Sequence, residues 1–380
     1  MQNKNYRNTF AISQSSIKDW RFKPPVKWKK IWIDNLEDND RDDDSFSLGS
    51  LVDTVLFTPD ELDKRFVISE EKLPSKAIES IIKSCYISIL NNINHCKELN
   101  NQPIPEEIEE KEFELINWKE VVLQCANDYI NEKKEKGWNK GWKEDTRVNK
   151  IIEEGNEYFQ HLKNAAGRKI IDPTTNMEAI KMADVLRKNE NVKKYFIEQP
   201  NETLIHQLEI FLEYELKDGS KVPLKGAIDI LHLDHKNKTI QVVDLKTSFS
   251  AFDFIKSIKQ YSYTAQLSFY NYLVNWWIDQ KCENKEYCEY TFLPPANIVI
   301  DPEYNIPYVY EYDWKDINME ADGNSKYLSD LFQTIDHNAR IKIGWKDIIE
   351  EIGWHLTNNK WDMPKELYEN KKIKVNLLNS

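Results

Sequence analysis

No run of eighteen apolar residues occurs anywhere in these 380 residues, so the sequence offers no membrane-spanning helix. The opening MQNKNYRNTF carries charge but neither an apolar stretch nor a small-residue cleavage site, which sets the expectation of a cytoplasmic protein. Cysteine is scarce. Cys85, Cys96, Cys125, Cys282 and Cys288 are odd in number, scattered and without any C-x-x-C pair, so neither a disulfide framework nor a zinc site is expected. The lack of G-x-x-x-x-G-K-[ST] removes a built-in ATP-driven motor, and the lack of G-x-S-x-G and H-E-x-x-H leaves serine hydrolase and zinc protease chemistry without support. Positive charge is outnumbered, 52 Lys and Arg against 64 Asp and Glu, for a net charge of −12. Taken alone, that balance argues against a nucleic-acid partner, because phosphate binding is driven by Lys and Arg releasing counterions.

What is present is an ordinary globular composition, 40% hydrophobic and 31% charged, long enough for one large core or two modest ones. Charge is also segregated. WRFKPPVKWKKIW (20–32) and KKEKGWNKGWK (133–143) are basic and interleaved with aromatics, a mixture suited to backbone contacts plus stacking on single-stranded bases. The plainer alternative, a solvated helix face whose tryptophans reach the core, is favoured on composition.

Along the chain, SQSSIKDW (13–20) reads as a capped helix start, EDNDRDDDS (37–45) as a loop, and SLGSLVDTVLF (47–57) as a buried helix ending at Pro59. Residues 60–200 are mostly helical in pattern. The clearest helix is 172–196, with Thr174 or Thr175 as cap and an apolar face of Met177, Ile180, Ala183 and Leu186. After Pro200 the character changes to three strand-like runs (204–216, 225–233 and 239–247) separated by the turn sequences KDGSK and DHKNK. An aromatic helix over 253–279, strand candidates in 289–300 and 304–312, and a last helix near 345–356 complete the pattern. This predicts an α/β or α+β core with a large helical N-terminal part: residues 1–199, including the block 47–58, then a core over 200–380, integrated as one catalytic domain.

The chemistry concentrates in TIQVVDLKTS (239–248). Strand alternation places Asp244 and Lys246 on one face with Leu245 on the other. If the hairpin is symmetric about Lys236 and Asn237, Leu233 faces Ile240, and Asp229 faces Asp244. Two carboxylates opposed among apolar neighbours need positive charge between them. Lys246 could neutralise one, as a structural ion pair at a strand end; a hard divalent ion such as Mg²⁺ or Mn²⁺ suits both, and frees Lys246 to orient and help deprotonate a water.

GAIDILHL…VVDLKTS resembles the PD-(D/E)XK nuclease core, and its surroundings resemble the exonuclease VIII (RecE-type) branch of that superfamily. LGSLVDTVLFTPDELDKRFVIS (48–69) is similar to the branch's first block, AIKMADVLRKNENVKKYF (179–196) to the helix before the core, YTAQLSFYNYL (263–273) to its Q-x-x-x-Y helix, and WKDIIEEIGWHLTNNKWDMPKEL to its closing segment. The resemblance implies a restriction-endonuclease-like mixed sheet flanked by helices. It implies Asp229 and Asp244 as metal ligands with the Leu245 carbonyl, Lys246 as the catalytic lysine, and Gln266 and Tyr270, four residues apart on one helix face, beside them. Glu209 or Glu213 is a further acid that could reach the site. Where the branch's first block commonly carries a metal-binding histidine, Gly49 is followed by Asp53, itself able to bind a hard ion. Only Cys282 and Cys288 follow the core, so an iron–sulfur cluster is not expected.

The implied activity is a Mg²⁺-dependent exodeoxyribonuclease acting on double-stranded DNA ends, 5′ to 3′, for recombination or repair, with a single-strand annealing protein as partner and a homo-oligomeric assembly. An Asn-, Lys- and Ile-rich sequence with ten glycines fits an AT-rich genome and a phage or prophage origin. Two alternatives stand beside this. One is an endonuclease or flap nuclease using the same site; the other is a silent DNA-binding scaffold in which Asp53 has cost the metal.

Overall fold

Ser13 and Ser16 open the first helix, each side-chain oxygen accepting the other's backbone N–H in a capping box. The computed structural model describes residues 9–36, 44–69, 73–99, 117–133, 143–165, 167–282, 286–323 and 343–370. Among the described residues, helices α1 (Gln14–Trp20), α2 (Pro25–Trp32) and α3 (Asp44–Phe57) come first. Then follow α4 (Leu62–Arg65), strand β1 (Phe66–Ile68), α5 (Lys76–Leu99), α6 (Trp118–Lys133), α7 (Glu144–Ala165), strand β2 (Lys169–Ile171) and α8 (Pro173–Lys188).

Two compact units emerge, Pro59–Glu178 and the combination of Met1–Thr58 with Ala179–Ser380. Within the first, α5, α6 and α7 bury Ile81, Ile82, Cys85, Val122 and Ile151 in a core of their own, and β1 pairs in parallel with β2.

Helix α8 departs from its sequence reading in three ways, the first being that it ends at Lys188 rather than running on to 196. Its cap is Asp172, whose carboxylate accepts the N–H groups of Thr174 and Thr175 and the Thr175 hydroxyl, while Pro173 takes the first helical place, where a missing N–H costs nothing. Its buried face is Ala179, Met182, Ala183 and Leu186; Met177 and Ile180 point to solvent. The buried set follows the i, i+3, i+4, i+7 spacing of a single stripe, which overrides the larger side chains nearby.

The second unit holds a mixed sheet, β3 (Glu202–Glu215), β4 (Lys221–Asp234), β5 (Thr239–Thr247), β6 (Thr291–Phe292), β7 (Ala296–Ile300) and β8 (Pro307–Glu311), in the order β3-β4-β5-β7-β8 with β6 beside the start of β5. Helices surround it, as the sequence leads one to expect. β5 and β7 are parallel and are joined through α9 (Ile255–Tyr261) and α10 (Tyr263–Cys282). The single helix expected over 253–279 is thus two, broken where Ser262 turns left-handed at φ 56°. Among the described residues three helices follow the sheet, α11 (Trp314–Asp322), α12 (Trp345–Asn358) and α13 (Lys365–Asn370), of which only α12 is visible in the sequence pattern.

The sheet's core is filled by Leu224, Ile228, Leu231 and Val242 from the strands and by Leu267, Phe269, Leu273 and Val274 from α10. Each such side chain, fully buried, contributes roughly 1.5–3 kcal/mol. Gly226 lets α10 approach, since a Cβ there would lie 2.4 Å from Leu273 Cδ1 and 3.4 Å from the Tyr270 ring. Gly226→Val is expected to destabilise the fold by about 1–3 kcal/mol through overpacking. Urea melts of wild type and variant check this.

The basic aromatic stretch 20–32 turns its tryptophans inward. Trp28 is fully buried, donates to the Ser16 carbonyl and stacks on Trp361, while Trp32 donates to Asp19. Its residues Lys23 and Lys29 pair with Asp19 and Asp34. The packing alternative therefore holds for these tryptophans, although Phe22 is exposed. Residues 134–142 of the other basic stretch, 37–43 of the acidic loop and the side chain of Cys96 lie outside the described residues. No described helix is long and apolar enough to cross a membrane.

Candidate active site

The site begins with a fork in the sheet. β4 and β5 pair from Asp234↔Thr239 to Ile230↔Val243, with Leu233 opposite Ile240, which is the register expected of the symmetric turn. One step further would set Asp229 against Asp244, but the ladder stops there and β5 continues alongside β7, where Asp244 meets Asn297 and Lys246 meets Val299. A backbone N–H released by a fork must find another acceptor. That of Leu245 donates to Asp229 Oδ2 at 3.1 Å, so the acid of one strand caps the backbone of the next.

Asp244 is 1% exposed, and four donor contacts satisfy it. Gln266 Nε2 donates to Oδ1 at 2.9 Å, Asn297 Nδ2 to Oδ2 at 2.6 Å and to the main-chain oxygen at 3.3 Å, and Lys246 Nζ reaches Oδ2 at 2.6 Å. Gln266 also donates to the Tyr270 hydroxyl at 3.1 Å, one helical turn along α10. Asn297 is fixed in turn by the Tyr312 hydroxyl, which donates to its Oδ1 at 2.5 Å. Lys246 lies 5.1 Å from the centre of the Tyr263 ring, which stacks on the buried ring of Phe254.

Helix α3 crosses the end of β5 closely enough that a Cβ at Gly49 would lie 3.1 Å from Thr247 Oγ1. Asp53 stands one turn further on the same helix face. Its charge is felt at Asp229. Burial, followed by the charges of Asp244 and Asp53, pushes the Asp229 carboxyl well above the ordinary carboxylate range. Burial would lower Lys246, but Asp244 and Asp229 outweigh it and hold the ammonium above its ordinary value, hence protonated. Burial and the same two acids raise the Tyr270 phenol, which stays neutral.

The structure therefore brings together Asp229, Asp244, Leu245, Lys246, Gln266 and Tyr270, with Asp53 near enough to act on Asp229. Of the two further acids considered, Glu213 is exposed and pairs with Lys221, away from the site. Glu209 pairs with Ala227 across the ladder, two residues before Asp229. Sequence reading missed Gln207, Asn297 and Tyr312. A signal existed for Asn297, a lone amide inside the otherwise apolar ANIVI, and it is fully buried. Gln207, which donates to Asp229 Oδ1 at 3.2 Å, carried none.

The donor chemistry fits a hard divalent ion. Burial and two neighbouring acids hold Asp229 above its ordinary value despite Lys246, and two carboxylates with a neighbouring carbonyl are oxygen ligands of the type Mg²⁺ and Mn²⁺ take. Among the described residues no group of three or more His, Cys, Asp or Glu side chains is arranged to hold an ion unaided. Mg²⁺ is ordinarily bound by one or two carboxylates, with water and substrate phosphate completing the shell.

Residues 142–276 match the PD-(D/E)XK nuclease superfamily. The matched span contains Asp229, Asp244, Lys246, Gln266 and Tyr270 and excludes Asp53 and Asn297. It points to a nuclease, of a superfamily that generally uses divalent metals. No curated protein matches the chain.

Proposed function

We propose that this chain is a metal-dependent exodeoxyribonuclease that hydrolyses double-stranded DNA from its ends, 5′ to 3′, in phage-type recombination or repair in the cytoplasm of a bacterial host. The observation that carries the reading is the convergence of Asp229, Asp244 and Lys246 at the sheet fork, with Gln266 and Asn297 fixing Asp244. Asp229 and Asp244 would hold Mg²⁺ or Mn²⁺ with the Leu245 carbonyl, and Asp53 would add a further acid. When bound, the ion polarises the scissile phosphodiester. Lys246, a cation beside it, orients the attacking water and stabilises the extra charge of the transition state.

Binding of DNA draws support from Phe249 and Phe252, 68% and 81% exposed just beyond the strand that carries Lys246, since exposed rings stack on unpaired bases. The resemblance of the flanking blocks to the exonuclease VIII branch favours end-directed cutting, a homo-oligomer and a single-strand annealing partner.

The test is digestion of linear duplex DNA labelled separately at each 5′ and 3′ end, alongside a closed circle. Labelled mononucleotide is expected first from the 5′ ends, with the circle intact. Cutting of the circle would make the protein an endonuclease, and release first from 3′ ends would reverse the polarity.

A further inference from the structure

Strands β3 and β4 form a long antiparallel ladder in which every β3 residue from Glu202 to Glu215 has a β4 partner except Gln207. The register is the same on both sides of the gap, His206↔Ile230 before it and Leu208↔Ile228 after it, so no residue has been inserted and this is not a bulge. The residue that the register sets opposite Gln207 is Asp229. At Gln207 the backbone is left-handed, φ 51°, a conformation that residues other than glycine adopt at a cost in free energy and that asparagine or aspartate tolerate better than glutamine. Nothing local calls for it: the surrounding LIHQLEIF contains no glycine or proline and has strand character on both sides.

What the distortion delivers is an amide. Gln207 Nε2 donates to Asp229 Oδ1, while the Leu245 N–H takes Oδ2. Both oxygens are thereby tied, one from each neighbouring strand, and the carboxylate has a fixed orientation at the fork. A side chain that orients a metal-binding carboxylate from behind ordinarily matters to metal affinity as well as to turnover.

We propose that Gln207 is a positioning residue: its left-handed break in β3 exists to aim a carboxamide at Asp229 and hold that acid in the orientation that binds the divalent ion. The proposal rests on the metal-dependent nuclease reading above.

Two variants of the full chain separate aim from strain. Gln207→Gly accepts the left-handed backbone freely but has no amide; Gln207→Ala lacks the amide and keeps the strain. Three quantities are measured: Mn²⁺ affinity by titration calorimetry without DNA, kcat and KM on linear duplex, and the thermal midpoint without metal. Both variants are expected to lose about tenfold or more in Mn²⁺ affinity and about 10- to 100-fold in kcat, with KM for DNA within about twofold of wild type. Gln207→Gly should melt at or above the wild-type temperature, and Gln207→Ala below Gln207→Gly. Wild-type affinity and kcat in Gln207→Gly would overturn the proposal while leaving the nuclease reading intact. A drop in its midpoint alongside the losses would assign Gln207 to folding instead, and also overturn it. A wild-type chain that neither binds Mn²⁺ nor cuts DNA would overturn the proposal and the nuclease reading together.

Discussion

Lys246→Arg is expected to reduce DNA cleavage by about 10³-fold or more while the protein stays folded and still binds DNA. The arginine variant is preferred to alanine for a structural reason. Asp244 is buried and accepts from Lys246 at 2.6 Å, and deleting one partner of a buried ion pair typically costs about 3–5 kcal/mol because the other charge is left behind. Arginine keeps the positive charge. It does not keep a compact ammonium on a flexible stem, and its planar guanidinium needs more room between Asp244 and the Tyr263 ring. Single-turnover cleavage gives the rate, and a gel-shift assay in EDTA gives the binding. Retention of more than about a tenth of the wild-type rate would remove Lys246 from the chemistry.

Asp229→Asn is expected to abolish metal-dependent cleavage and, in the absence of metal, to make the protein more stable at neutral pH. The two effects have one origin. Burial and the charges of Asp244 and Asp53 raise Asp229 well above an ordinary aspartate, so between about pH 3.9 and that raised value the folded chain holds a proton that the unfolded chain has released. Stability from this group is fully present below the unfolded value and is lost as pH rises through the window. Asparagine has no such proton. It carries no carboxyl that folding must keep protonated, so the metal-free midpoint should fall with rising pH in wild type and less so in the variant. Added Mn²⁺ should reverse the order, because it stabilises only a chain whose acids can bind it. Equal midpoints across pH 5–8 and equal responses to Mn²⁺ would contradict the like-charge cluster.

How much of this could be seen in the sequence follows from what each feature depends on. The D-x-K triplet and the β4–β5 register were legible, because strand alternation and a symmetric turn are local, and Leu233 does stand opposite Ile240. The fork was not legible. It arises because β4 leaves β5 after Ile230↔Val243 while β5 runs on beside β7 at its other edge, a pairing made by residues fifty positions away. For the same reason Gln207 gave no sign, since its place opposite Asp229 exists only once β3 and β4 have paired. Asp172 took the cap from the two threonines because Pro173 begins the helix. The break at Ser262 hid inside a continuous aromatic pattern, KQYSYTAQ, which reads as one helix whether or not the backbone turns. The same break starts α10 at Tyr263, the residue that lies against Lys246.

The central claim is that Asp229, Asp244 and Lys246 form one hydrolytic site. The most direct measurement is digestion of linear duplex DNA by the purified chain with Mg²⁺, with EDTA, and with Lys246→Arg in Mg²⁺, run side by side. Nucleotide release in the first reaction alone is the predicted result; release that survives EDTA or the substitution, or no release in any of the three from folded protein, would contradict it.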